Sequence, residues 1–370
     1  MNVLLTHLHL DYPAGSETYT YTLVGALRRH GHQVQVVSPI RGLMAEHLYG
    51  LGARMLDSFE AVEGVPDVLH CQHNIMAMAA RIRFPDTPMV YHSHGTVPLP
   101  EQPPSVDLNI QRVVAVSRLV EGHLVDRGVS PETIRVLENP VDVRRFFARA
   151  PINARPQRAL ILSAKMDPDT RDVIETACRH LDIALEVVGI DGSVWEVEDY
   201  INRADIVFSL GRGVIEAMAC GRAVFVYDVH GADGWLTPDS IDEIARFNFS
   251  GKRYRRQLTP DELVGELKRY DPGMGEENRR LAHERYDVDR YLPRLLEVYS
   301  EAREAFQPRS LLLPGQEVEV ALMALAARIV EKQNEIRELR SRLAERDRRL
   351  RELEKWAQAP RSGRSLGGPA

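Results

Sequence analysis

The sequence predicts an α/β protein with two doubly wound, Rossmann-like domains facing a cleft and a long C-terminal helix with coiled-coil character. Three observations carry this. Short apolar runs alternate with amphipathic helical stretches across about three hundred residues, as repeated βαβ units do. The alternation lapses once, in ARAPINARPQR near residue 150, where a linker is expected. From Val318 a seven-residue apolar repeat replaces it.

The 370 residues suit two domains plus an appendage. A hydrophobic content of 44% supplies a core for each, and a net charge of −6 gives no case for nucleic acid. Cys71, Cys178 and Cys220 form no CxxC or zinc spacing, which points to a reducing compartment. No apolar run reaches bilayer length, so a cytoplasmic protein is expected.

Residues 2–5 form the first strand, and residues 7–17 a loop broken by Pro13 and Gly15. From Ser16 a helix follows with Tyr19, Leu23, Ala26 and Leu27 on one side, then a strand over 33–37. Further strands are expected over 67–70, 89–92, 112–116 and 134–137, with helices over 43–51, 75–82 and 117–127 between them and Ser117 as an N-cap. Ligands of such a sheet bind at the carboxyl ends of its strands. Three histidine pairs fall there: His7 with His9, His70 with His73, and His92 with His94. A metal cluster, a substrate crevice and plain strand capping are the three readings. No carboxylate stands at recognised ligand spacing with the pairs, so no metal is expected. His94, in SHGTVP, faces an immediate turn and is the best placed of the six.

The second domain restarts with a strand over 158–163, a helix over 169–180, a strand over 184–188, a helix over 194–202 and a strand over 204–208. The segment SLGRGVIEAMACG over 209–221 organises it. Gly211 and Gly213 let the backbone approach a ligand, and a helix starting at about Gly213 offers unpaired N–H groups to an anion. Glu216, expected in the first turn, suits a ribose hydroxyl pair. A strand over 223–227 follows.

These stretches resemble a GT-B glycosyltransferase of family 4 over roughly residues 1–305. The resemblance rests on IEAMACGRAVFVYDVHG, on PAGSETYTYTLVGALRRHGHQVQVVS, and on VVAVSRLVEGHLVDRGV followed by IRVLENPVD. It implies an N-terminal acceptor-side domain over 1–150, a nucleotide-sugar domain over 151–288 and a crossover helix over 289–307. It implies transfer of a sugar from a nucleotide diphosphate sugar to an acceptor hydroxyl with retention, without cofactor or metal, in cell-surface glycan or glycolipid synthesis. Glu216 then holds the donor ribose; Gly15 and Ser16 face the donor phosphates with Gly211, Arg212 and Gly213; His94 lies beside the donor sugar. Lys165 and Arg171 stabilise the leaving pyrophosphate. The family's first glutamate would fall at Phe208, so one acidic group is missing. A non-catalytic nucleotide-sugar-binding scaffold and a GT-B nucleotide-sugar epimerase remain the alternatives.

The basic run KRYRR over 252–256 suits either a solvated surface or contact with an anionic acceptor or the inner membrane face, and Thr259 caps the helix after it. Leu322, Ile329, Ile336, Leu343 and Leu350 recur at heptad spacing, with Leu325, Leu339 and Leu353 three positions on and Lys332 and Arg346 interrupting. A coiled coil over 316–357 making a homo-oligomer is expected, a helix folded on its own domains being the alternative; residues 358–370 are expected as a disordered tail.

Overall fold

The structure is a computed structural model describing residues 1–104, 107–164, 166–190, 192, 194–308 and 316–358, without the side chains of 316–321, 324 and 352–358. The expectations for Lys165 and for the tail beyond Gln358 lie outside the described residues.

The first sheet has seven parallel strands in the order Arg54–Leu56, Gln33–Val37, Asn2–Thr6, Val68–Cys71, Met89–Ser93, Arg112–Ala115, Ile134–Val136. Their runs are short and mainly apolar because helices cover both faces. The second sheet runs Ala184–Val188, Arg158–Leu162, Ile206–Ser209, Ala223–Asp228 in parallel and closes with an antiparallel strand, Gly231–Trp235. The sequence reading placed no strand there. GADGW has turn composition, and a register shift between Val226 and Tyr227 lets it fold back on its neighbour.

Ser117 and Thr259 cap their helices, the latter in a full capping box with Glu262. The helix Val288–Ala305 returns to the first domain, where Val288, Tyr291, Leu292, Leu295, Val298 and Tyr299 join Val3, Leu5, Tyr19 and Leu23 in one core. A 43-residue helix, Gln316–Gln358, ends the described chain. Among the described residues no helix is long and apolar enough to cross a membrane.

The domains touch across the cleft. The Trp195 ring stacks on His47 at 4.0 Å and meets Tyr21 edge-on at 4.7 Å, and the Arg145 guanidinium lies 3.9 Å from the Trp195 centroid. The Leu119 amide donates to the Arg246 carbonyl at 3.0 Å.

Candidate functional site

The strands Asn2–Thr6, Val68–Cys71 and Met89–Ser93 are neighbours, so the three histidine pairs that follow or end them gather at one sheet edge. His7 lies 4.7 Å from His73, His70 lies 5.3 Å from His92, and His92 lies 4.6 Å from His94, centroid to centroid. Among the described residues no three His, Cys, Asp or Glu side chains are placed to hold a metal ion.

Hydrogen bonds tie the cluster to neighbouring helices. The Tyr19 hydroxyl sits 3.1 Å from His92 Nδ1 and 2.9 Å from the Tyr291 hydroxyl, and the Tyr299 hydroxyl sits 2.8 Å from His70 Nδ1. His94 Nε2 lies 2.7 Å from Gln72 Oε1, while Gln72 Nε2 donates to Thr20 Oγ1 at 2.8 Å. An amide oxygen only accepts, so His94 carries its proton on Nε2. Burial, then the charges of His73, His70 and Arg212, push His94 well below the usual histidine range. His94 is therefore neutral at physiological pH. Burial likewise pushes His70 and His73 down to about 3. His9 goes the other way: burial opposes its charge, but Asp11 at 2.9 Å and Glu17 at 3.1 Å outweigh burial and raise its pKa.

The helix Gly15–Arg29 starts behind Ala14, with Gly15 exposed and open above. Ser16 Oγ donates to Glu17 at 3.1 Å, and the buried Glu17 carboxylate occupies this helix's first turn.

In the second domain the strand Ile206–Ser209 passes through Leu210 and Gly211 into the helix Arg212–Ala219. Gly211 adopts φ +58°, which a glycine tolerates without steric cost. A Cβ on Gly213 would stand 2.3 Å from Ser209 Oγ, so only glycine lets helix and strand approach this closely. Because Gly211 turns the chain so early, the helix begins at Arg212 rather than Gly213, and Glu216 falls in its second turn, not its first. The helix dipole therefore supports Glu216 less than expected. Burial raises the pKa of Glu216, which is 7% exposed, against the opposing charges of Arg212 and Arg145.

Arg212 joins the domains. Its Nη1 donates to the Pro140 carbonyl at 2.9 Å, and its Nη2 reaches Thr22 Oγ1 at 3.3 Å and Glu216 Oε1 at 3.4 Å. Its Nε is buried without a partner among the described residues. The space beside Gly211, between Asn139, Ile215, Asn248 and Tyr286, is only about 10 Å³, room for one water at most.

The structure thus brings His94, Tyr19 and Thr22 of the first domain toward Arg212 and Glu216 of the second. Arg171 instead pairs with Glu175 of its own helix at 2.5 Å. Among the described residues no hydrogen bond or ion pair links Gly15, Ser16 or Arg171 to Arg212 or Glu216. Phe208, where an acidic group was missed, is fully buried with its ring 5.7 Å from Phe225. Sequence reasoning did not single out Gln72, Thr22 or Tyr291 for the site. Gln72 lies between two of the histidines, which is the one signal that could have found it.

Residues 13–145 match the model of Glycosyltransferase Family 4. No curated protein sequence matches the chain. HepE from Anabaena, solved with UDP and glucose, superposes with a TM-score of 0.60 at 14% identity over 81% of this chain and 99% of that one. A glycosyltransferase from Rickettsia africae ESF-5 gives 0.57 at 14% identity, covering 82% and 99%. AviGT4, a glycosyltransferase involved in avilamycin A biosynthesis, gives 0.55 at 16% identity, covering 83% and 99%. These likenesses establish the two-domain architecture: the chain has the GT-B fold, and its N-terminal domain is a Glycosyltransferase Family 4 domain.

Proposed function

We propose that this protein moves a sugar from a nucleotide diphosphate sugar to an acceptor hydroxyl with retention at the anomeric carbon. The observation that carries the reading is the hydrogen bond from Arg212 to Thr22 across the cleft, made by the same guanidinium that holds Glu216 and whose charge reaches His94. In this reading Glu216 takes the donor ribose, and Gly211, Arg212 and Gly213 meet the phosphates with Gly15 and Ser16 opposite. Arg212 then exchanges its bonds to Thr22 and Pro140 for phosphate oxygens as the cleft opens. His94, neutral and held by Gln72, presents a polar ring to the donor sugar. The bond from the anomeric carbon to the phosphate oxygen breaks, the bond to the acceptor oxygen forms, and the acceptor proton passes to the leaving phosphate. Lys165 and the helix N-termini stabilise the charge that develops there, and Arg171 joins them once it leaves Glu175. The reaction needs no metal or cofactor.

HepE binds UDP and glucose, and this supports a nucleotide sugar as donor here. A glycan or lipid-linked acceptor, a role in cell-surface glycan or glycolipid synthesis, a cytoplasmic location and peripheral contact with the inner membrane face belong to the same proposal. So does a homo-oligomer held by the C-terminal helix.

A second reading, a nucleotide-sugar-binding scaffold without turnover, is favoured by Phe208, which places an aromatic ring in the core where an acidic group would assist the sugar. One experiment separates them. Melting temperatures are measured with a panel of nucleoside diphosphates and their sugars, for the wild type and Glu216→Ala. A rise for one nucleotide that is lost in the variant supports the donor site, and turnover with that donor, its product's anomeric configuration read by NMR, supports retaining transfer. Binding without turnover for any acceptor offered favours the scaffold. No stabilisation by any nucleotide refutes both.

A further inference from the structure

The C-terminal helix Gln316–Gln358 carries two apolar faces, and its own domain uses one of them. It lies on the Asn74–Arg83 helix, where Ala326 and Val330 are fully buried and Met323 packs beside them in the core that holds Ala77 and Ala80. Farther along this face Asn334 Nδ2 donates to Asp11 Oδ2 at 3.4 Å, and the Arg337 guanidinium stands 4.5 Å from the Tyr12 ring centroid. Positions 323, 326, 330, 334 and 337 form one stripe at spacings of three and four. The heptad stripe is different. At 3.6 residues per turn its centre lies about 140° around the helix from the docked face. Leu322 and Ile329 are half-buried, and five further members stay in solvent: Leu325 is 51% exposed, Ile336 48%, Leu339 57%, Leu343 50% and Leu350 48%.

We propose that this free stripe is the seam of a parallel, two-stranded coiled coil with a second copy of the chain, the docked face staying on each copy's own domain. The occupant is argued from the seam and its flanks. Isoleucine at 329 and 336 with leucine at 325 and 339 is the combination that favours two strands. In a parallel pair the residue before each member of the series 329, 336, 343 faces the residue five positions on in the partner strand. Glu335 then meets Arg340 of the second copy and Arg342 meets Asp347 of the second copy, each twice by symmetry. In an antiparallel pair the same flank faces itself, which pairs Glu335 with Arg342 of the second copy but opposes Arg328 to Arg349 of the second copy. Lys332 and Arg346 interrupt the seam and lower its stability. Lys332 already turns its ammonium to Glu335 of its own chain at 2.5 Å, so its stem can line the seam while the charge leaves it.

The docked face ends on Asp11 and Tyr12, and Asp11 holds His9. The coil is therefore anchored to the loop that leads into the Gly15–Arg29 helix, and pairing two copies fixes both loops to one rod. The inference rests on the homo-oligomer included in the proposed function and gives its form, and because its test uses no nucleotide its failure leaves the transfer chemistry untouched.

The test is the solution mass of the full chain by sedimentation. The wild type is expected at twice 41.8 kDa, and Ile336→Asp with Leu343→Asp at one chain. These side chains are exposed in the single chain, so the domains' melting temperature serves as the folding control. Two charge variants then set the direction: Glu335→Arg with Arg342→Glu, and Arg340→Glu with Asp347→Arg. In a parallel coil each alone opposes like charges and sediments as one chain, whereas the mixture restores opposite charges at every pair and sediments as two. A wild type of one chain's mass, a dimer surviving the seam variant, or a first charge variant that still pairs alone, as an antiparallel coil would, overturns the proposal.

Discussion

The Arg212 guanidinium reaches the Thr22 hydroxyl at 3.3 Å, a side-chain hydrogen bond between the second domain's Arg212–Ala219 helix and the first domain's Gly15–Arg29 helix. The same guanidinium neutralises the buried Glu216 carboxylate at 3.4 Å. A buried carboxylate deprived of its cation is costly, roughly 3–5 kcal/mol, whereas removing both charges together is often close to neutral. Arg212→Met is therefore expected to destabilise by about 3 kcal/mol in urea unfolding, and Arg212→Met with Glu216→Gln to recover most of that. A single variant within about 0.5 kcal/mol of wild type would show that the clasp contributes nothing measurable.

Gln72 fixes His94 from behind, with its amide oxygen on Nε2 and its amide nitrogen on Thr20. If His94 acts on the donor sugar, its loss removes a preorganised polar contact, and His94→Ala should lower kcat by about 10²–10³-fold. Gln72→Leu leaves the imidazole in place but unheld, so kcat should fall by roughly tenfold, about 1.4 kcal/mol of barrier, with donor KM unchanged. A Gln72→Leu variant that raises KM and spares kcat would place Gln72 in binding instead.

The parallel strands were legible because a strand buried on both faces is a short, mainly apolar run, as in residues 3–5 or 206–208. Gly211 and Gly213 were legible as the strand-to-helix turn for the steric reasons the structure displays. The histidines were visible only as pairs, since their union depends on three strands lying side by side, which no local pattern encodes. Arg212's partners, Thr22 and Pro140, are 190 and 72 residues away in the chain, and a sequence gives no distance of that kind. The heptad was plain, but Met323, Ala326 and Val330 did not stand out among ordinary helix residues until the Asn74–Arg83 helix covered them.

Phe208 shows why the missing glutamate is structural. With only Leu210 between strand and Gly211, position 208 lies inside the Ile206–Ser209 strand, with its side chain at 0% exposure in a core with Ile161, Phe225 and Trp235. Phe208→Glu buries a carboxyl in apolar surroundings and is expected to cost upwards of about 4 kcal/mol, leaving little folded protein. Phe208→Leu keeps an apolar side chain there, should cost about 1–2 kcal/mol, and should leave nucleotide binding intact. Circular dichroism and melting of the two variants check this. A well-folded Phe208→Glu protein with increased turnover would mean that the position reaches the cleft after all.

The buried histidines make stability fall on the acid side. His7, His70, His73, His92 and His94 are all held below their usual pKa, burial being the first cause for each. The folded chain leaves them neutral while the unfolded chain takes up protons below about pH 6.5. Stability present above that pH is therefore lost as pH drops, down toward pH 3 for His70 and His73. Each such group adds at most about 1.4 kcal/mol per pH unit to the slope. His9, raised by Asp11 and Glu17 against burial, has the opposite sign: its contribution grows as pH falls through its folded value toward about 6.5, above the window in which the five act. Urea unfolding at a series of pH values from 7.5 to about 5 should show stability decreasing, and His70→Gln should flatten the slope by about one proton's worth. A slope unchanged by His70→Gln would assign the acid sensitivity to other groups.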